Sequence, residues 1–311
     1  MPDATSFELP AAVPFDLPRT VAALRRRPTH RVETLVDHEY RRVMTLAGRN
    51  HLIGVRQIAP DRVQMRSLEG ALGPAERREA ARLVDRILGL SFDLAPVYAA
   101  LEDEPRLAAL AAQVPGMKPP AYDSLWVTVV SVVPFQQVSL AAGTAILNRL
   151  IERLGASLEH EGSVYYAYPT PQAVLAAGPD ALRACGLSQA KTRALFEAAA
   201  RTADARLDEA AMAALDDEHA LAALSALPGI GPWSARLILL RGFRRLSIFP
   251  LDDSGAAGNF RQVFDIPAAE VRVALDGVLT RLGPYRGYLY FLLLASSLLR
   301  LSLITPAIGQ A

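Results

Sequence analysis

The sequence predicts an α+β protein that is mainly α-helical, with a small N-terminal antiparallel β/α domain followed by two helical domains with a helix-hairpin-helix motif. Three observations predict this fold class. Apolar and charged residues alternate with period two early in the chain, apolar residues recur at helical spacing from Pro96 onward, and a Gly/Pro-rich hairpin interrupts residues 221–241. We therefore divide the chain into domains 1–95, 96–245 and 246–311, and expect the helices of the last domain to pack against residues 96–120.

The composition excludes several classes of protein. A chain of 311 residues, 51% of them apolar, is long enough to bury a core, and its one cysteine, Cys185, excludes a disulfide framework or a cysteine-ligated metal site. The 33 basic and 32 acidic residues give a net charge of +1, so a nucleic acid would have to be bound by a local patch. Neither a secretory leader nor a membrane span is evident, which predicts a cytoplasmic protein with no membrane partner.

The N-terminal domain is predicted to contain antiparallel strands with one solvated face. Residues Glu39–Leu46 and His51–Leu68 alternate in polarity, with a break at Pro60-Asp61 that indicates a turn. Pro74 then opens a predicted helix, whose apolar face comprises Ala80, Leu83, Val84, Ile87 and Leu88.

The region from Pro96 onward is predicted to be helical almost throughout. Thr170 and Pro171 have the residue types of a helix N-cap and a first helical position. One apolar helix face comprises Ile146, Leu147, Leu150, Ile151 and Leu154.

Residues 221–241 are predicted to form two helices joined by a tight hairpin. Leu221, Leu224 and Leu227 form the inner face of the first helix, and Pro232 starts the second. Between them Gly229 and Gly231 permit a tight reversal, and Ile230 is expected to plug the helix pair. The backbone amides of Gly229, Ile230 and Gly231 would then face outward, where they suit a DNA phosphate. Pro-Gly-Ile-Gly is equally consistent with an ordinary corner between two helices.

Two carboxylates, Asp252 and Asp253, follow the apolar run Ile248–Leu251 and precede another predicted helix. Either aspartate could simply cap that helix. Capping is compatible with catalysis, because it fixes the carboxylate in place. A fixed carboxylate beside a DNA-binding hairpin suits cleavage of a nucleoside's glycosidic bond, which develops positive charge on the sugar.

The hairpin with its downstream aspartate resembles the helix-hairpin-helix (HhH-GPD) superfamily of DNA glycosylases, and in particular the branch of bacterial 3-methyladenine DNA glycosylase II. Further segments similar to that branch are Phe15–Leu17, Val32–Thr34, Tyr40–Arg42, Val133–Ser139, Tyr168–Pro171, Gly186–Ser188 with Lys191, and Pro284–Arg286. The resemblance implies a base excision repair enzyme that acts on duplex DNA containing a damaged, alkylated base, as a monomer associated with the nucleoid.

The resemblance also implies the roles of the site residues. Asp253 would be the catalytic carboxylate, and Trp233 stands where the bifunctional glycosylase-lyases have a lysine. Because an indole cannot form a Schiff base, the implied enzyme is monofunctional: water is the nucleophile and an abasic site is the product. The implied substrate pocket comprises Trp233, Gln136, Asp252 and Tyr285. Alternatively, Trp233 braces the hairpin as a core residue and Gln136 caps a helix.

Further implications concern DNA contacts and ions. The DNA path is expected along residues 229–236, including Ser234 and with Arg236 at a phosphate, whereas Arg25-Arg26-Arg27 is interpreted as a solvated helix face. No cofactor is expected, apart from a structural Na⁺ or K⁺ on the backbone carbonyls of Leu227, Gly229 and Ile230.

Two other functions stay open. The Ser254–Asn259 stretch, which is poor in helix formers, would fit a catalytically silent DNA-binding protein on the same scaffold. Leucines at positions 237 and 294, where the branch has aromatic residues, leave open a glycosylase for oxidised or deaminated bases in place of alkylated ones.

Overall fold

The computed structural model describes residues 6–307 and confirms the α+β, mainly helical class. Residues 1–5 and 308–311, at the outer ends of the predicted domains 1–95 and 246–311, lie outside the described residues. Within residues 6–307, the structure contains no helix with the length and apolar character needed to cross a membrane.

A five-stranded antiparallel sheet forms most of the N-terminal part, in the order β1-β5-β4-β3-β2. Its strands are β1 (Ser6–Pro10), β2 (Thr34–Val36), β3 (Glu39–Leu46), β4 (Arg49–Ala59) and β5 (Arg62–Ser67). The predicted strand regions therefore form strands, and the turn falls at Pro60-Asp61. The sequence does not predict β1 and β2, because strands of 5 and 3 residues show too little alternation.

The helices of the described chain are α1 (Leu17–Arg25), α2 (Pro74–Leu88), α3 (Ala95–Leu101), α4 (Pro105–Gln113), α5 (Leu125–Val132), α6 (Leu140–Leu154), α7 (Pro171–Ala184), α8 (Gln189–Ala203), α9 (Glu209–Ala214), α10 (Asp217–Ser225), α11 (Pro232–Phe243), α12 (Ser254–Phe264), α13 (Val271–Leu282) and α14 (Tyr288–Arg300). Short 3₁₀ turns occur at Val133–Phe135, Ala268–Glu270 and Gly283–Tyr285. The predicted helix starts at Pro74 and Pro171 are observed, the second with Thr170 as its N-cap.

The expectation of an almost wholly helical region after residue 96 is wrong at one place. The antiparallel strands β6 (Ser157–His160) and β7 (Ser163–Tyr166) form a hairpin between α6 and α7. It turns at Gly162, whose φ of 74° favours glycine, and it packs on the N-terminal sheet. There the Arg41 guanidinium donates a hydrogen bond of 2.9 Å to Tyr165 Oη. This contact with a distant strand cannot be inferred from the local pattern.

One hydrophobic core runs through all three predicted domains and extends from Ala11 to Leu298. Helix α3 contacts α13, and α4 contacts α14, so the C-terminal helices lie against the region that follows α2. Because burial is continuous, it does not by itself mark boundaries at residues 95 and 245, and the division into three domains stays a prediction.

Candidate active site

The hairpin between α10 and α11 has the predicted tight geometry. Gly229 adopts φ 77°, and a Cβ on it would lie 2.5 Å from the Cβ of Ala194 on α8, so a side chain is excluded there. Ile230 is only 2% exposed and plugs the helix pair as predicted. Its N–H donates to the Leu227 carbonyl at 3.0 Å. The expectation that the Ile230 amide faces outward is therefore wrong, because closing the turn uses that donor.

Gln136 connects the hairpin to the 3₁₀ turn at Val133–Phe135. Its Nε2 donates hydrogen bonds of 2.8 Å to the Gly229 carbonyl and 2.9 Å to Ser234 Oγ. The backbone N–H of Gln136 closes the 3₁₀ turn, whereas its side-chain amide binds the hairpin and does not cap a helix. The Ser234 side chain is buried and accepts this bond, and its backbone N–H lies in the first turn of α11, where such groups have no partner within the helix.

Asp253 is the N-cap of α12 and also faces the hairpin. Its Oδ1 accepts a hydrogen bond of 2.7 Å from the Ala256 N–H, and its Oδ2 accepts one of 3.1 Å from Trp233 Nε1. The helix therefore fixes one carboxylate oxygen and the indole holds the other. The Ser254–Asn259 stretch, despite its composition, forms the first half of this helix.

Asp252 and Arg236 form an ion pair at the rim of the site, with Arg236 Nη1 3.5 Å from Asp252 Oδ2. Asp252 is exposed and lines the cavity, whereas Arg236 is not among the lining residues. Since solvent screens an exposed pair, this contact adds little to stability.

A cavity of about 1150 Å³ brings most of the predicted residues together. Its lining includes Gln136, Gly229, Gly231, Trp233, Ser234 and the two aspartates. These residues come from the segment before α6, from the hairpin and from the start of α12. The volume is more than a nucleobase needs, so the cavity can admit one.

The placement of Tyr285 in the pocket is wrong. Tyr285 ends the Gly283–Tyr285 turn and packs against the hydrophobic core, and it does not line the cavity. Tyr290, in the first half of α14, lines the cavity in its place. Tyr285 ends the turn before α14 and Tyr290 lies within α14, so the two side chains have different surroundings.

Sequence reasoning also missed cations in the cavity wall. Arg26 and Arg27 line the cavity, so their interpretation as a solvated helix face is wrong. Arg26 follows the last helical residue of α1 with φ 59°, and its guanidinium carbon lies 4.1 Å from the ring centroid of Phe135. Burial acts to lower the pKa of Arg26, but phenol groups led by Tyr122, together with the Asp253 carboxylate, raise it overall. The guanidinium therefore keeps its charge.

Lys191 is a further lining cation, close to the start of α8. It is 8% exposed, and its Nζ donates a hydrogen bond of 3.1 Å to the Pro134 carbonyl. Burial lowers the pKa of this amine. Lys191 belongs to the predicted family segments, but its sequence context does not indicate a position in the cavity wall.

The predicted cation site consists of backbone carbonyls at the hairpin. The Leu227 carbonyl already accepts from the Ile230 N–H, and the Gly229 carbonyl accepts from Gln136. A carbonyl has two lone pairs, so each keeps one for a ligand. Among residues 6–307, no group of three or more His, Cys, Asp or Glu side chains is placed to hold a metal ion.

Family comparisons agree with this architecture. The AlkA N-terminal domain family matches residues 6–123, and the HhH-GPD superfamily of base excision DNA repair proteins matches residues 130–275. The chain thus combines an AlkA N-terminal domain with a domain of the HhH-GPD superfamily. This confirms the resemblance inferred from the hairpin and its downstream aspartate.

Individual relatives are similar at low identity. The probable bifunctional transcriptional activator/DNA repair enzyme AlkA of Mycobacterium tuberculosis (strain H37Rv) is 28% identical over 284 residues, which are 91% of this chain and 55% of that relative. The chain thus spans about half the length of that relative. DNA-3-methyladenine glycosylase 2 of Escherichia coli (strain K12) is 28% identical over 241 residues, 77% of this chain and 82% of that protein.

The fold is shared with solved structures. The 3-methyladenine DNA-glycosylase from Archaeoglobus fulgidus has a TM-score of 0.79 at 22% identity, and the similarity covers 94% of this chain and 98% of that one. At this identity the likeness concerns the fold alone.

Proposed function

We propose that this protein is a monofunctional DNA glycosylase that hydrolyses the N-glycosidic bond of damaged, alkylated bases in duplex DNA and leaves an abasic site. The single observation that carries the proposal is the Asp253 carboxylate, held between the Ala256 N–H and Trp233 Nε1 in a cavity beside the hairpin. The name of the E. coli relative, DNA-3-methyladenine glycosylase 2, supports this substrate class.

The proposed reaction starts when the damaged base turns out of the duplex into the cavity. The bond between C1′ and the base nitrogen breaks, and its electron pair leaves with the base. Positive charge then develops on the sugar, and the negative Asp253 carboxylate stabilises it. The oxygen of a water molecule bonds to C1′, and one proton of that water is released to the base or to solvent.

The monofunctional part of the proposal depends on the amines near the cavity. Trp233 has none, but Lys191 lines the cavity and burial lowers its pKa, as a Schiff-base lysine requires. Lys191 Nζ is however bound to the Pro134 carbonyl, which directs it away from a nucleophilic role. Borohydride trapping of a covalent protein–DNA adduct would contradict the monofunctional reaction.

DNA is proposed to bind at the hairpin, through phosphate contacts that do not depend on base sequence. The donors are the backbone amides of Gly229 and Gly231 and those of Trp233 and Ser234 in the first turn of α11, where the helix dipole favours an anion. A Na⁺ or K⁺ on the hairpin carbonyls would add positive charge there. Replacement of K⁺ by tetramethylammonium at constant ionic strength should then weaken DNA binding.

The test is base release from duplexes that each carry one damaged base, measured as abasic sites under single-turnover conditions. The Asp253→Asn variant keeps an oxygen for the Ala256 N–H but loses the charge, so release should fall by about a hundredfold or more. Asp265→Asn is the matched control, because Asp265 lies at the other end of α12 with φ 48°, which asparagine tolerates.

The outcomes separate the alternatives. Equal release by wild type and Asp253→Asn would remove Asp253 from the mechanism. Release of oxidised or deaminated bases alone would correct the substrate class, and release of none would favour a catalytically silent DNA-binding protein. We propose that the protein acts as a monomer, because every proposed site group lies on one chain. Gel filtration of the protein bound to duplex DNA tests this.

A further inference from the structure

Arg26 places a positive charge inside the cavity that the proposed reaction does not use. Its guanidinium lies over the Phe135 ring, and its Nη2 donates a hydrogen bond of 3.5 Å to Tyr122 Oη. The backbone of Arg26 is fixed as well, since its N–H donates to the Ala22 carbonyl at 2.9 Å where α1 ends. The side chain is thus held at the cavity wall.

The Arg26 guanidinium also reduces the attraction of the Phe135 ring for a cationic ligand. A Cβ on Gly143 would lie 2.3 Å from Cδ1 of the Phe135 ring, so the ring packs directly on the α6 backbone. The guanidinium of Arg26 lies over the same ring, at a distance typical of a cation–π pair. An aromatic ring that already binds a cation offers little attraction to a second one.

The charge of Arg26 is not neutralised by an ion pair. No ion pair within the described range, residues 6–307, includes Arg26. The Asp253 carboxylate helps to raise the pKa of Arg26 but forms no ion pair with it, and Asp252 pairs with Arg236. A ligand in this cavity therefore meets a guanidinium that has no ion-pair partner and that has N–H donors in addition to its bond to Tyr122.

We propose that Arg26 makes this cavity select damaged bases that are neutral and carry a hydrogen-bond acceptor over bases that alkylation has made cationic. This inference rests on the proposed glycosylase function and names its substrate class.

The physical reason lies in the charge of the base before and during bond breaking. A cationic base such as 7-methylguanine is repelled by Arg26 on entering the cavity. A neutral base such as 1,N6-ethenoadenine is not repelled on entry, and it receives the electron pair of the C1′–N bond as it leaves. The developing negative charge on the base is then stabilised by the guanidinium, and its acceptor atoms can receive the N–H donors.

The experiment compares single-turnover release, at subsaturating protein, of 7-methylguanine and 1,N6-ethenoadenine from otherwise identical duplexes. Arg26→Met removes the charge and keeps the length of the side chain. We expect it to raise the ratio of 7-methylguanine release to 1,N6-ethenoadenine release by about tenfold or more, the size expected for loss of a charge interaction in a partly dry site. Arg26→Lys, which keeps the charge, should stay close to the wild-type ratio.

Arg25→Met is the matched control, because Arg25 is the neighbouring arginine in the last turn of α1 and does not line the cavity. Its ratio should stay within twofold of wild type. Thermal melting verifies folding of each variant, and Arg26→Gln replaces Arg26→Met if the latter does not fold. A merely structural role of Arg26 would lower both rates together without changing their ratio.

An unchanged ratio in the neutral variant, with release intact, overturns the selectivity and leaves the proposed function standing. Release of neither base by the wild-type protein overturns the selectivity, and the proposed function fails as well if no other damaged base is released.

Discussion

Trp233 Nε1 donates a hydrogen bond of 3.1 Å to Oδ2 of Asp253, which connects the second hairpin helix to the N-terminus of α12. The capping bond from the Ala256 N–H holds the other oxygen of the same carboxylate at 2.7 Å. Asp253 is thus fixed from two directions. Trp233 braces the hairpin and lines the cavity at once, so the two interpretations of this residue are compatible.

Trp233→Phe should slow base release by about tenfold, because loss of a hydrogen bond to a charged group costs about 1.5–3 kcal/mol and leaves the carboxylate less well oriented. Single-turnover release measures the effect. The matched control is Trp126→Phe: Trp126 Nε1 donates to the Pro169 carbonyl at 2.8 Å, away from the cavity. That variant should lose stability but keep its rate per folded molecule. Wild-type rates in Trp233→Phe would contradict a positioning role.

Gln136→Ala should weaken binding to undamaged duplex DNA and lower the free energy of unfolding by about 1–2 kcal/mol. It removes two hydrogen bonds that fix the hairpin, each worth about 1 kcal/mol. Fluorescence anisotropy and urea unfolding measure the two effects. Gln113→Ala serves as control, because Gln113 is exposed and its side-chain amide donates only a 3.4 Å hydrogen bond to the Ala109 carbonyl of the same helix. Equal DNA affinity in Gln136→Ala and wild type would argue against the hairpin as the binding element.

Gly229→Ala should lower the free energy of unfolding by about 2–4 kcal/mol, since a Cβ there meets both a left-handed backbone and the methyl group of Ala194. Gly231→Ala is the contrasting variant two residues away. Gly231, the N-cap of α11, has φ −82°, and a Cβ on it has nothing within 4 Å, so its alanine variant should lose at most about 1 kcal/mol, the cost of alanine at an N-cap. Urea unfolding at equilibrium compares the two. Similar losses in both variants would show that the close approach to α8 is not the cause.

Stability should fall as the pH drops from 6.5 towards 3, because of His30. Burial, followed by the charges of Arg26 and Arg42, lowers the pKa of His30 from 6.5 to about 3. In this interval the unfolded chain binds a proton that the folded protein does not. The contribution of neutral His30 to the free energy of unfolding is complete above pH 6.5. As the pH falls below that value, it is lost with a slope of up to about 1.4 kcal/mol per pH unit.

Urea unfolding at pH 7.5 and pH 5.5 tests this expectation by comparison of His30→Asn with wild type. The variant should lose less stability between the two values, and the comparison cancels contributions from other groups such as Glu33. His38→Asn is the control, because His38 is exposed and its φ of 63° suits asparagine. Identical pH dependence in wild type and His30→Asn would exclude His30 as the source.

Much of the site follows from local sequence, because its key features are local. A proline opens α11, and glycines form the hairpin. Asp253 directly precedes α12 and caps it through a bond to the N–H three residues later. Tyr285 and Tyr290 show where this reasoning stops. The two tyrosines are five positions apart, and only the tertiary packing of the chain decides which of them lines the cavity.

The sequence by itself determined the fold class, the hairpin and the capped aspartate, because turn and cap chemistry operate over three to five residues. Only the tertiary structure decided the charge of the cavity. It brought Arg26 over Phe135, more than 100 positions away, and joined Gln136 to Gly229, 93 positions away. Such contacts arise from how whole elements pack on a shared core, and residue spacing along one segment carries no record of them.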